Sequence, residues 1–273
     1  HPDHGDVQAF EALFHAREGD RWVTDERGRR YALDADCGDG RVVQWRAGFE
    51  DELMPVSLHE HVDADAGVRH RLLNQYDAEA VGAMRAAGGT VLLAHTEGRA
   101  LADLERLQDA GLHGLEAFNV HAMFDPRIRQ AHLGLDGLGG TSGLGPFLDT
   151  TSGVEPDLLF LSVHQRQEPS LAAWDALLAR GPMMATAGSD AHQNVLPARL
   201  ADGERVDSYR RTLRWFSTWL LAGEGPVGID EAVEARRAMV VFEALGTPEG
   251  LDVRVEAGGD VYEVGSEAPP GRL

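Results

Sequence analysis

Residues 186–192 read TAGSDAH and set an aspartate and a histidine two positions apart, beyond an apolar run that starts at Pro182. Gly188 and Ser189 make a small turn there, which can bring both Asp190 and His192 to one point. The same placement recurs along the chain. His95 ends TVLLAH (90–95), and His164 ends LLFLSVH (158–164). Glu116 and Asn119 lie in GLEAFN (114–119), with His121 two residues further on. Imidazole nitrogen mixed with carboxylate oxygen is a donor set for zinc, manganese or iron rather than calcium. One histidine at a strand end is more often a hydrogen-bonded structural residue. Four such segments in succession are hard to explain by packing alone.

Two further clusters lie upstream. HPDHGD opens the chain with His1, Asp3 and His4, and AGFEDELMPVSLHEH supplies Glu50, Glu52, His59 and His61. His59 and His61 alternate on a predicted strand, which would point both rings to one face. So many donors exceed the needs of one ion and predict two or three divalent transition metals (Zn, Mn or Fe). Such a centre activates a water and clamps the oxygens of a hydrolysed phosphoryl or acyl group. His15, His70, His113 and His132 read as surface, turn or loop residues. Other chemistries fare worse. There is no P-loop and no dinucleotide-binding glycine pattern. GTSGLG (140–145) lacks the strand and helix that a nucleophile elbow needs. Cys37 sits in DADCGDG, whose anions disfavour a thiolate.

The elements that must position these residues alternate. Apolar spacing predicts helices over 6–17, 77–87, 100–110, 170–180, 207–222 and 229–238. Strands are predicted within 21–46, over 90–95, 114–119, 158–163 and 182–187, and in the last stretch, which turns at Gly258-Gly259. The glycine-rich residues 132–154 read as a long loop. Alternating strands and helices imply a mainly parallel sheet, open or closed as a barrel, and barrel enzymes gather their catalytic groups at the C-terminal strand ends.

The chain has 273 residues, 43% of them hydrophobic and 26% charged, which suffices for an ordinary core. A formal net charge of −20 argues against nucleic acid or an anionic membrane surface as a general partner. An anionic small-molecule substrate would therefore need a cationic site, and bound metals would serve. With Cys37 alone, no intrachain disulfide forms and no cysteine zinc site can be built. No apolar run is long enough to span a bilayer and no signal peptide is visible, so a cytoplasmic location is the default expectation, with export left open. Oligomeric state is not legible.

The ordered set DH…GFE…H…LLAH…GLEAFN…GSDAH resembles the polymerase-and-histidinol-phosphatase (PHP) family of metallohydrolases. The match spans most of residues 1–195. The resemblance implies metal ligands at His4, with His1 as its rival, at Glu50, at His59 or His61, at His95, and at Asp190 and His192. There are departures. The family's opening HxH pair has no counterpart here, so the resemblance places it ahead of His1 or leaves the site without it. Thr96 stands where the family has proline. Residues 207–266 are similar to the tail of a branch that includes carbaryl-type carbamate and ester hydrolases.

The fold expected is therefore α/β: a distorted (β/α)7 TIM-like barrel over 1–225, with a C-terminal helix and β extension over 226–273. The function expected is metal-dependent hydrolysis, of a phosphate ester first and of a carboxylic or carbamic ester second. His164 or His121 would serve as proton donor, and Arg99 as a binder of substrate anion. A catalytically inactive scaffold or binding module is the alternative from another class.

Overall fold

The computed structural model describes residues 15–48, 52–62, 68, 71–72, 75–193, 197–223 and 225–269. His1, Asp3, His4, Glu50 and His70 lie outside the described residues, as does most of the expected first helix. The strands are β1 (Arg21–Thr24), β2 (Arg30–Asp36), β3 (Val42–Arg46), β4 (Leu53–Val56), β5 (Thr90–Leu93), β6 (Gly114–Asn119), β7 (Met184–Gly188), β8 (Ser217–Leu220), β9 (Ala238–Val241), β10 (Arg254–Ala257) and β11 (Asp260–Glu263). The helices are α1 (Ala78–Ala86), α2 (Leu101–Asp109), α3 (Val120–Phe124), α4 (Pro126–Ala131), α5 (Gly139–Ser142), α6 (Gly145–Leu148), α7 (Leu159–Val163), α8 (Glu168–Leu178), α9 (Tyr209–Thr212) and α10 (Gly225–Glu234).

The expected barrel is not what these strands build. They fall into sheets of three, four, two and two strands, and no closed barrel forms among the described residues. The pairs β1–β2, β2–β3, β4–β5, β8–β9 and β10–β11 are all antiparallel. The result is mixed α/β. Two elements also differ from the sequence expectation. LLFLSV is the helix α7 and not a strand, because a short apolar run carries no period of its own. The expected helix over 207–222 instead breaks into α9 and the strand β8, where Thr218 and Trp219 suit a pleated surface. The glycine-rich stretch folds into two single-turn helices, α5 and α6.

The chain divides into two compact units. The first comprises His1–Ala94, Leu101–Gly114 and Ala222–Ala235, and the second His95–Ala100, Leu115–Leu221 and Arg236–Leu273. In the first, α1 starts at Asp77, whose carboxylate accepts from the Ala80 amide at 2.9 Å, and it buries Ala80, Val81 and Met84. Glu234 at the end of α10 accepts from both Arg85 nitrogens, from the Thr90 hydroxyl and from His113 Nε2, all at 3.0–3.1 Å. That network ties α10 to α1 and β5 and accounts for buried His113 as a structural residue.

The core of the second unit is aromatic. Phe118, Phe160, Trp215 and Phe216 are nearly fully buried and pack with Phe242, and Phe160 stacks on Trp215 at 5.4 Å between centroids. Fully burying a Phe side chain contributes about 1.5–3 kcal/mol. Beside this core Arg211, wholly buried, bridges Asp157 and Asp202 at 2.5 and 2.7 Å. No helix among the described residues is long and apolar enough to cross a membrane.

Candidate functional site

The second unit brings four of the expected residues together. β6 is buried at every position, so the polar side chains of Glu116 and Asn119 must find partners inside the fold. Asn119 does three jobs. Its Oδ1 accepts from the His121 amide at 2.7 Å and caps α3, and its Nδ2 donates to Glu116 Oε2 at 2.8 Å. Its backbone is clasped by buried Gln167, whose Oε1 accepts from Asn119 N at 3.1 Å and whose Nε2 donates to Asn119 O at 2.6 Å. The cap aims His121 toward the segment after β7. There His121 Nδ1 meets Asp190 Oδ2 at 2.8 Å, and His192 Nε2 meets Asp190 Oδ1 at 2.8 Å. His95 completes the group, with its ring 6.1 Å from that of His121 and its Nδ1 3.5 Å from Asn119 Nδ2.

Three of the five left-handed non-glycine residues among the described residues lie in or beside this group, the others being Ser57 and Arg236. His95 has φ +50°, Asp190 +45° and Gln193 +53°. Non-glycine residues in the left-handed region are uncommon and cost on the order of 1 kcal/mol or more, and they collect where function holds them. The surroundings hold both turns. Arg99 Nε donates to the His95 carbonyl at 2.9 Å, and Arg205 Nη2 donates to the Gln193 carbonyl at 2.6 Å. Thr96 donates from its hydroxyl to the Glu116 carbonyl at 2.6 Å and hydrogen-bonds Ser170 Oγ at 3.0 Å.

Two carboxylates back the imidazoles. Glu116 Oε2 also accepts from the His95 amide at 3.1 Å, and Oε1 leans on Gly188, where an added Cβ would fall on that oxygen and 2.7 Å from Cδ. The glycine of GSDAH therefore makes room for a side chain as well as a turn. Burial pushes the Glu116 carboxyl up to about 7, against the hydrogen bonds from Asn119 and His95. Burial likewise raises Glu97, whose Oε1 is enclosed and has no hydrogen-bond partner among the described residues. For Asp190, burial pushes the carboxyl up, but the His121 hydrogen bond and the nearby imidazoles outweigh it and the carboxyl is held low. His121 is raised in turn, chiefly by its bond to Asp190.

The other expected residues fall elsewhere. His59 and His61 follow β4 in a bend and do not share a strand face. His59 is exposed, 3.7 Å from Asp230, whereas His61 is buried with Nε2 3.0 Å from the Arg30 carbonyl. Both belong to the first unit. His164 caps the end of α7 against the aromatic core, its ring within 5.2 Å of those of Phe118, Phe160 and Phe242, and partial burial lowers its pKa. Arg99 spends its Nε on the His95 backbone. Glu97 and Gln167 were missed from sequence. Glu97 stands two residues after His95, and that adjacency was a usable signal. Nothing in the sequence singles out Gln167.

The donor set of His95, His121, Asp190 and His192 suits a transition metal, although no trio of His, Cys, Asp or Glu closes into a ready cage among the described residues. Two donors on one tetrahedral ion at ~2.1 Å stand roughly 3.4 Å apart. The two 2.8 Å imidazole–carboxylate contacts would thus open by about 0.6 Å to admit an ion, a rotation within reach of partly exposed rings. No family model, curated protein or solved structure matches the chain.

Proposed function

We propose that the chain is a metal-dependent hydrolase of ester bonds, with a phosphate ester as the leading substrate and a carboxylic or carbamic ester as the second reading. One observation carries it: three imidazoles and Asp190 converge in the second unit, with His95 and Asp190 both held in left-handed backbone. The motif resemblance to the PHP family supports the same reading.

His95, His121, Asp190 and His192 would hold the metal. A bound divalent ion supplies a Lewis acid and an acidified water. The chain's own residues do the rest. Asp190 orients His121 and His192 by taking one ring on each oxygen. Asn119 and Glu116 fix the backbone of His121 and His95, and Arg99 holds the His95 turn from the far side of its carbonyl. Glu116 and Glu97 place carboxyl groups behind the imidazoles, where added positive charge would draw them to the ionised form. His121, bonded to Asp190 and grouped with the other imidazoles, is better placed than His164, which sits against phenylalanine rings, to pass a proton to a leaving group.

The test uses the full chain loaded with Mn2+ or Zn2+. Elemental analysis should give at least one equivalent of metal. One or more of a phosphomonoester, a phosphodiester and an aryl carbamate should be hydrolysed. Less than one equivalent of metal together with three intact substrates would overturn the reading in favour of an inactive scaffold.

A further inference from the structure

Beside the imidazoles lies a small, half-enclosed pocket of about 130 Å³. His121, Asp190 and His192 belong to its wall, and Phe124, Leu144, Val206 and Trp215 supply most of its apolar surface. We infer that this pocket receives an uncharged, apolar, ring-sized group of the molecule that the site acts on. The inference rests on the hydrolase reading for calling that molecule a substrate, but the pocket's preference stands on its walls alone.

The volume equals that of about four waters at ~30 Å³ each, the bulk of one small ring or a short branched chain. The walls arrive from three places. Phe124 ends α3, the helix that carries His121. Leu144 comes from the turn between α5 and α6. Val206 and Trp215 follow the Asp190–His192 turn in the chain. Leu144, Val206 and Trp215 are also members of the aromatic core, so the pocket floor is rigid and pre-formed. A site of this kind binds by shape and apolar contact without reorganisation.

Charge selects the occupant. Two of the polar walls beyond the imidazoles, Asp207 and Thr212, are already engaged. Asp207 takes Arg205 in a two-point pair at 2.8 and 3.0 Å, and the Thr212 hydroxyl donates to the Ser208 carbonyl at 3.1 Å. The chain contains no lysine, and among the described residues no arginine lines the pocket. An anionic group entering here would leave water and meet the carboxylates of Asp190 and Asp207, whose partners, His121, His192 and Arg205, are already engaged with them, which burial makes costly. A neutral apolar group meets neither penalty. Anionic character, if the substrate has any, therefore belongs at the reacting centre and not in this pocket.

The experiment titrates 4-fluorophenol and its charged counterpart 4-fluorobenzoate into the full chain, followed by fluorine NMR. Saturable binding of 4-fluorophenol is expected, with the benzoate at least about tenfold weaker. Leu144→Trp, or Val206→Phe from another wall, should fill the pocket and weaken phenol binding by at least about tenfold, with melting temperature reporting that the variant folds. If neither variant melts cooperatively, a nuclear Overhauser contact between the ligand and the Trp215 ring in the unaltered protein replaces them. Equal or tighter benzoate binding, no phenol binding, or binding indifferent to both fillings overturns the inference. So does an absent Trp215 contact. Phenol binding without any ester hydrolysis would sink the hydrolase reading and leave the pocket standing, whereas hydrolysis without phenol binding does the reverse.

Discussion

Gly188→Ala is the sharpest perturbation the structure offers. At an ordinary strand position with unstrained φ, glycine to alanine stabilises by roughly 0.5–1 kcal/mol, because the unfolded chain loses freedom. Here the sign should reverse. The new Cβ would fall on Glu116 Oε1 and stand 2.7 Å from Cδ, whereas carbon atoms rest about 3.5–4.0 Å apart. The carboxyl must move by about 1 Å, and it is not free to do so. Its other oxygen is held by the His95 amide and Asn119 Nδ2 in a pocket that leaves Glu116 5% exposed. Losing two buried hydrogen bonds to a carboxyl costs about 3 kcal/mol after partial relaxation, and the entropic gain offsets less than one of these. A net loss of about 2–3 kcal/mol should appear in urea denaturation, together with weaker Zn2+ binding, since His95 and Asn119 lose a common anchor. The control is a double-mutant cycle with Glu116→Ala. In that background Gly188→Ala should be neutral or stabilising, giving a coupling of about 2 kcal/mol. A Gly188→Ala protein as stable as the parent, or additive effects in the cycle, would refute the packing of Glu116 on Gly188.

Three other outcomes are expected. Asp190→Asn removes the negative charge and one of the two oxygens that face His121 and His192, and Zn2+ affinity measured by calorimetry should fall by more than the roughly 10–100-fold that loss of an outer partner costs. Thr96→Val strips a buried donor from the Glu116 carbonyl and should destabilise by about 1–3 kcal/mol in chemical denaturation, a cost that a proline there would share. Glu234 gives a pH signature. The Arg85 guanidinium, with His113 and Thr90, holds its carboxyl at about 2 in the fold. A carboxyl depressed on folding stabilises fully above its unfolded value and loses that stabilisation as pH falls from there toward 2. With 51% of the side chain exposed, screening reduces the effect to about 1–2 kcal/mol. Glu234→Gln should therefore lower the melting temperature at pH 7 and converge with the parent near pH 2.

Local chemistry carried much of what could be read in advance. The helices α1 and α2, the strands β5, β6 and β7, and the hairpin β10–β11 all stand within a few residues of the expected spans, because caps, glycine stops and apolar runs act over one or two turns of chain. The failures were of a different kind. LLFLSV carried enough apolarity for strand or helix, and packing of Phe160 against Trp215 and Phe242 goes with the helix. The HEH spacing at 59–61 suggested a shared face only on the assumption that β4 extended that far, and it ends at Val56. Barrel closure depends on which strands pair and in what direction, and alternation along a chain does not encode that.

The sequence by itself determined the donor types, their order and the turn chemistry at Gly188, since each depends on residues a few positions apart. Tertiary structure alone decided which donors meet. It joined His95, His121, Asp190 and His192, put His164 among phenylalanine rings, gave His59 and His61 to the other unit, and placed Glu116 and Gln167 behind the site. Those outcomes come from burial and hydrogen-bond satisfaction between segments up to about a hundred residues apart, where spacing along the chain carries no information.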